Sequence, residues 1–262
     1  MPSTDKEDDD VISSACNRYS WQVHRTALLA AYDHYRKHGG DPWKIAPLTF
    51  DPDIGKDLYG LYDKRKSGGP LKRIRDTKGL LACPVCGSGT AGSLDHYLPR
   101  KDFKEFSIMR ANLVPACSHC NSGAKGTDYV GGLGERLIHP YYDTWADQDL
   151  WLAVVRQPYQ SATFEPLPLA HLPPGQKAIV AFHLKTVLAT QFRVWTETRW
   201  SRLPEMMKLN HVMNSETSVS GFISQELGRA VIAEGRNGWN AALMRGISAD
   251  AGAVKYLAGL LP

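Results

Sequence analysis

Two Cys-x-x-Cys pairs, Cys83/Cys86 in C-P-V-C-G and Cys117/Cys120 in P-A-C-S-H-C-N, constrain this chain more than any other feature. Each such turn presents two thiolates to one ion, and two turns complete the tetrahedral shell of zinc. A shell filled by sulfur leaves no position for water, so the expected zinc is structural and pins together the two ends of the stretch between the pairs. Pro84 and Gly87 suit the tight first turn. The pairs lie further apart than the roughly 15–20 residues of a plain zinc ribbon, so something is inserted between them. Redox-active dithiols are another use of such pairs, but no thioredoxin-like βαβ pattern surrounds either one. The fifth cysteine, Cys16, stands alone in a helical-looking segment and reads as a small core residue.

The insert carries Ser93-Leu94-Asp95-His96-Tyr97-Leu98-Pro99, which reads as a short strand ending in a turn. Neighbouring residues of a strand point to opposite faces, so Asp95 and His96 can serve different partners. Hard cations such as Mg²⁺ take oxygen ligands, and the Asp95 carboxylate and the Asn121 amide supply that type. His96, near its ordinary pKa, is suited to take a proton from water. Together these residues suit metal-assisted phosphodiester hydrolysis, the metal stabilising charge on the scissile phosphate. Taken singly they are ordinary: an Asp-His pair in a surface turn, Asn112 as a helix cap, Asn121 at a helix start. A non-catalytic, zinc-stabilised nucleic-acid-binding protein is the alternative, and such a binder needs none of the three.

The combination resembles the HNH (ββα-metal) endonucleases, in the four-cysteine subgroup with L-D-H-(Y/F)-L-P-K, F-x-E-F-S and N-L-V-P-x-C-x-x-C-N. Those strings are matched by Leu94 to Arg100, Phe103 to Ser107, and Asn112 to Asn121. The resemblance implies His96 as general base, Asp95 and Asn121 as ligands of a catalytic Mg²⁺ or Mn²⁺, and Asn112 as brace of the loop carrying the base. Asn121 stands where many members have His, and Arg100 where many have Lys. Arg100, Lys101, Lys104 and Lys125 flank the site as expected phosphate contacts, with His119 a spacer in the second cysteine turn. A following H-P-Y-x-D segment, here His139 to Asp143, is expected to pack against the module. The implied substrate is DNA, with RNA as the other polymer carrying the same bond. The implied setting is bacterial restriction or phage defence beside an ATPase or sensor subunit. A toxin-like nuclease with an immunity partner is a further alternative, which no delivery segment supports.

The rest of the chain suggests an α+β protein, mainly helical, with the ββα-metal module embedded. Hydrophobic content of 43% and charged content of 22% over 262 residues allow a real core. No apolar run approaches the roughly 20 residues of a membrane span. The acidic start, M-P-S-T-D-K-E-D-D-D, is unlike an export signal, so a reducing cytoplasm is expected. Net charge is +4, with Lys64, Arg65, Lys66, Lys72, Arg73, Arg75 and Lys78 as a basic run that a phosphate backbone can use. The expected divisions are a disordered tail at 1–10, a helical region at 11–80, the nuclease module at 81–145 and a mostly helical region at 146–262. Helices are expected at 11–38, 57–66, 216–234 and 248–260, and from Gly175 to about Pro204. Residues 150–165 are expected as a strand pair, and Pro166, Pro168, Pro173 and Pro174 as a linker.

Overall fold

The computed structural model describes residues 5–64, 71, 74, 79–89, 91–213 and 218–261. It is a mixed helix-and-sheet protein with two small antiparallel sheets. Backbone contacts divide it into two compact units. One comprises Met1–Leu80 with Thr90–Thr144, the other Leu81–Gly89 with Trp145–Pro262. The expected module at 81–145 is therefore split, and its first cysteine turn belongs with the C-terminal helices. Among the described residues no helix is long and apolar enough to cross a membrane.

In the first unit, α1 (Asp5–Arg18) begins well inside the expected acidic tail. The reason is a specific burial. Asp8 is 2% exposed and accepts from the backbone N–H of Arg110 at 3.1 Å and its Nε at 3.2 Å, while Glu7 pairs with the same guanidinium. With Asp8 anchored, Ile12, Ala15 and Cys16 follow at helical spacing into the core. A break at Ser20, whose φ is 61°, ends α1, and α2 (Arg25–Lys37) restarts the helix. The expected single helix at 11–38 is thus two. Helix α2 buries Leu28, Tyr32 and Tyr35. At its end Gly40 has φ 70°, and a Cβ there would collide with Tyr35 and His139, so glycine is required twice over. Helix α3 (Pro52–Gly60) starts earlier than expected because Pro52 opens it at the first helical position, where its missing N–H costs nothing.

Strands β1 (Ser93–His96) and β2 (Leu113–Ala116) pair antiparallel, with Asp95 opposite Val114 and His96 opposite Leu113. A five-residue π-helical turn, Cys120–Ala124, follows and packs against β1.

In the second unit, β3 (Trp151–Arg156) and β4 (Thr163–Pro168) form the expected strand pair. Pro166 and Pro168 lie inside β4 rather than in a linker. They occupy alternate positions of a strand paired on one side, where a missing N–H breaks no ladder bond. Helices α4 (Pro174–Val187) and α5 (Ala189–Met213) divide at Leu188, and α5 runs on past Pro204. The buried face of α4 is Val180, His183, Leu184 and Val187, and Val194 of α5 is 53% exposed. Helix α6 (Val219–Glu234) is close to expectation. The last expected helix, at 248–260, is α8 (Ala251–Ala258), and α7 (Trp239–Ala249) precedes it where none was expected; Asp250 caps Ala253 N–H at 2.9 Å and restarts the chain between them. Gly246 of α7 lies flush on the Ala153 backbone of β3. The aromatic rings of Trp151, Phe192, Trp195 and Trp239 cluster beside it.

Candidate active site and metal centre

The sulfurs of Cys83, Cys86, Cys117 and Cys120 lie within 4.8 Å of one another. Zinc–sulfur bonds of about 2.3 Å in a tetrahedron span such a set, so these residues fit a single zinc. The first turn is fastened by its carbonyls to the C-terminal helices. His183 Nε2 donates to Val85 O at 2.6 Å, Trp239 Nε1 to Cys86 O at 2.7 Å, and Trp239 N–H to Gly87 O at 3.3 Å. Gly87 has φ 77° and abuts Asn237. Cys16 sits elsewhere, fully buried against the core of the first unit.

Strand β1 carries Asp95 and His96, both buried. His96 Nε2 faces the carbonyl of Ser107 at 2.9 Å. A carbonyl only accepts, so Nε2 bears the hydrogen, and in the neutral ring Nδ1 holds the lone pair. Burial lowers the His96 pKa to about 4, the Ser107 bond opposing it, so the ring is neutral at pH 7. This is well below the ordinary value expected from sequence. The ring of Tyr62 meets the imidazole edge to face, 4.6 Å between centroids.

The Asp95 carboxylate has a partner already in place. Lys125 Nζ lies 3.1 Å from Oδ2 and donates also to His96 O at 2.8 Å. Lys125 is 3% exposed. Burial raises the Asp95 pKa, and Lys125 and the His96 N–H pull against that rise. Lys125 is therefore an internal cation rather than the expected surface contact for phosphate. Its aliphatic stem crosses buried ground and its ammonium reaches the carboxylate, a placement sequence alone does not reveal.

Asn112 is fully buried and braces Leu98, two residues beyond His96. Its Oδ1 accepts from Leu98 N–H at 2.8 Å, and its Nδ2 donates to Leu98 O at 3.0 Å. Behind it runs a chain of hydrogen bonds whose direction is fixed. Tyr141 N–H donates to His139 Nδ1 at 3.2 Å, so Nε2 of the neutral ring carries the hydrogen and donates to Tyr35 Oη at 3.0 Å. The Tyr35 hydroxyl then donates to Asn112 Oδ1 at 3.1 Å. Burial lowers the His139 pKa to about 3, which keeps the ring neutral. Asp143 closes the H-P-Y-Y-D segment by accepting from His139 N–H at 2.7 Å and pairing with Arg136.

Asn121 is half-buried in the π-helical turn, and its N–H donates to Cys117 O at 3.1 Å. His119 precedes that turn, half-buried. Arg100 pairs with Asp63 at 2.8 Å and lies over the Tyr59 ring at 4.2 Å. Lys104 is half-buried beside Gly55, and Lys101 is exposed. Of the basic run, Lys64 pairs with Asp57, and Arg65, Lys66, Lys72, Arg73, Arg75 and Lys78 lie outside the described residues.

Sequence reasoning missed Tyr35 and Tyr62 as neighbours of these residues, and gave Lys125 a phosphate rather than Asp95 as its partner. Tyr35 and its partner Asn112 are distant in sequence, so no local signal exists. It also left Glu105 of F-x-E-F-S without a role. That carboxylate is 1% exposed, its Oε1 accepts from Leu48 N–H at 2.9 Å, and its Oε2 has no hydrogen-bond partner among the described residues. Burial raises its pKa to about 7.

No family model matches the chain, and no solved structure matches it. A curated relative is protein ea31 of Escherichia phage lambda, 45% identical over 124 residues. The aligned stretch covers 45% of this chain and 40% of the relative, so the chain spans well under half the length of the protein it matches.

Proposed function

We propose that this protein is an HNH-type endonuclease that hydrolyses phosphodiester bonds in DNA with His96 as general base. The observation that supports it most is the fixed tautomer of His96. Ser107 holds the Nε2 hydrogen, and burial keeps the ring neutral. The lone pair on Nδ1 is then in place to take a proton from an attacking water. Asn112 ties down Leu98, just after the base, and limits the freedom of the loop during that transfer. Lys101, exposed and five residues after His96 in the chain, is a cation open to a phosphate.

Asp95 and Asn121 present oxygen donors of the type Mg²⁺ or Mn²⁺ requires. When bound there, such an ion supplies stabilisation of the charge on the scissile phosphate and the leaving oxygen. Zinc at the four cysteines is a frame rather than a reagent, since sulfur fills its shell. In this reading α4 to α8 are the surface for a partner subunit, and the setting is restriction or phage defence. Both rest on the family resemblance.

A second reading is a zinc-stabilised nucleic-acid-binding protein without chemistry. The observation favouring it is that Asp95 already carries a counter-ion in Lys125. The test is incubation of supercoiled plasmid with the zinc-loaded full chain in Mg²⁺, in Mn²⁺ and in chelator. Cutting that requires the divalent ion supports the nuclease. Retarded migration of intact DNA under all three conditions supports the binder.

A further inference from the structure

The buried ammonium of Lys125 sits where the proposed metal ligand needs to be open. Its Nζ is 3.1 Å from Asp95 Oδ2, with side-chain exposures of 2% and 10%. Asp95 lies on β1, and Lys125 caps the π-helical turn that packs against β1 and carries Asn121, the other proposed ligand. One short element thus carries both the second proposed ligand, Asn121, and the cation that holds the Asp95 carboxylate. The second bond of Lys125, to the His96 carbonyl at 2.8 Å, ties the ammonium to the backbone of the proposed base.

We infer that Lys125 is the resident cation of the site, and that it and a divalent metal compete for Asp95. This rests on the reading of Asp95 as a metal ligand. The physical reason is charge balance. A carboxylate this buried is stable as an anion only with a partner, and Lys125 is that partner. A divalent ion on the same carboxylate replaces the ammonium's role and repels it at short range in surroundings of low polarity. A divalent ion held by Asp95 would displace Lys125 from that carboxylate and free the His96 carbonyl. The displaced ammonium, still anchored one residue beyond the turn, becomes available to the phosphate that accompanies the metal. The ion pair with Lys125 holds the Asp95 carboxylate pre-formed.

The experiment uses the zinc-loaded full chain and Mn²⁺ as the probe. Free Mn²⁺ is followed by electron paramagnetic resonance. Along the same titration, each lysine's acetylation by an N-hydroxysuccinimide ester is followed by mass spectrometry. Lys125 is expected to be protected without Mn²⁺ and to become reactive in step with Mn²⁺ occupancy, while exposed Lys101 stays constant. Full Mn²⁺ occupancy with Lys125 still protected overturns the competition and leaves the metal reading standing. No Mn²⁺ binding, or equal binding by Asp95→Asn, overturns the metal reading and the competition together. Lys125→Met is expected to bind Mn²⁺ about tenfold tighter, within the usual range for coupled ligands. Unchanged or weaker binding by a folded Lys125→Met protein counts against the inference. The acetylation arm uses only wild-type protein, so it decides the question even where that variant does not fold.

Discussion

His96 donates from Nε2 to the Ser107 carbonyl at 2.9 Å, and that bond decides what its other nitrogen can do. The donor is fixed because the acceptor has no hydrogen to give, so the lone pair belongs to Nδ1. Ser107 is held in turn by its own hydroxyl, which donates to Lys104 O at 2.7 Å. The F-x-E-F-S string is thereby explained in three parts. Phe103 and Phe106 fill the core, Glu105 anchors Leu48, and Ser107 orients the imidazole.

Asn112→Ala removes both bonds to Leu98 and the acceptor of Tyr35. Several buried polar groups lose their partners at once, at roughly 1–3 kcal/mol for each left unsatisfied. Urea denaturation of the full chain is expected to show a loss of about 3 kcal/mol. A change within about 0.5 kcal/mol, the ordinary surface value, means that the bonds do not brace the loop.

Glu105 gives a pH prediction with a definite sign. Burial raises its folded pKa to about 7 from an ordinary 4.5, so the folded state holds the proton longer. The stability this lends is present below about pH 4.5 and lost as pH rises to 7. Glu105→Gln, which stays neutral, is expected to gain on wild type by at most about 2.5 kcal/mol between pH 5 and pH 8. Denaturation midpoints at the two pH values measure this. A stability difference between variant and wild type that does not move with pH shows that Glu105 titrates normally.

The two buried histidines act in the opposite direction. His96 and His139 have pKa values lowered to about 4 and about 3, so unfolding takes up protons below pH 6.5. Each therefore withdraws stability as pH falls from 6.5, at up to about 1.4 kcal/mol per pH unit. Replacing His139 with Asn should flatten the acid limb of the stability profile, whatever it does to the neutral plateau. An acid limb as steep as that of wild type excludes a neutral, buried His139.

The four thiolates should hold about one equivalent of zinc per chain. Metal analysis of purified wild type and of Cys117→Ser checks this, with the variant expected to lose the metal. Trp239→Phe deletes the bond to Cys86 O while keeping an aromatic ring. It is expected to cost about 1 kcal/mol and to speed zinc loss to a chelator. Unchanged release means that the helices do not support the turn.

Short-range signals were legible in the sequence and long-range ones were not. The Cys-x-x-Cys pairs bring four sulfurs together, Asp95 and His96 lie on a strand, and Asn112 grips the backbone just after His96. Periodicity found the strand pair, expected at 150–165, but misread Pro166 and Pro168 of its second strand, because an edge strand looks like a linker when only proline content is counted. The acidic N-terminus looked disordered because its partner, Arg110, is about a hundred residues away in the chain. Lys125 looked like a surface charge for the same reason. What decided its fate was the buried carboxylate on β1, visible only once the turn packs against the strand.

The central claim, that His96 is the base of a DNA-cutting site, is tested by single-turnover cleavage of plasmid DNA in Mg²⁺ and in Mn²⁺. Wild type and His96→Ala are compared as zinc-loaded full chains of equal zinc content. Loss of a positioned base should slow cutting by about 10²- to 10⁴-fold while DNA affinity stays the same. A His96→Ala protein that cuts at the wild-type rate contradicts the account.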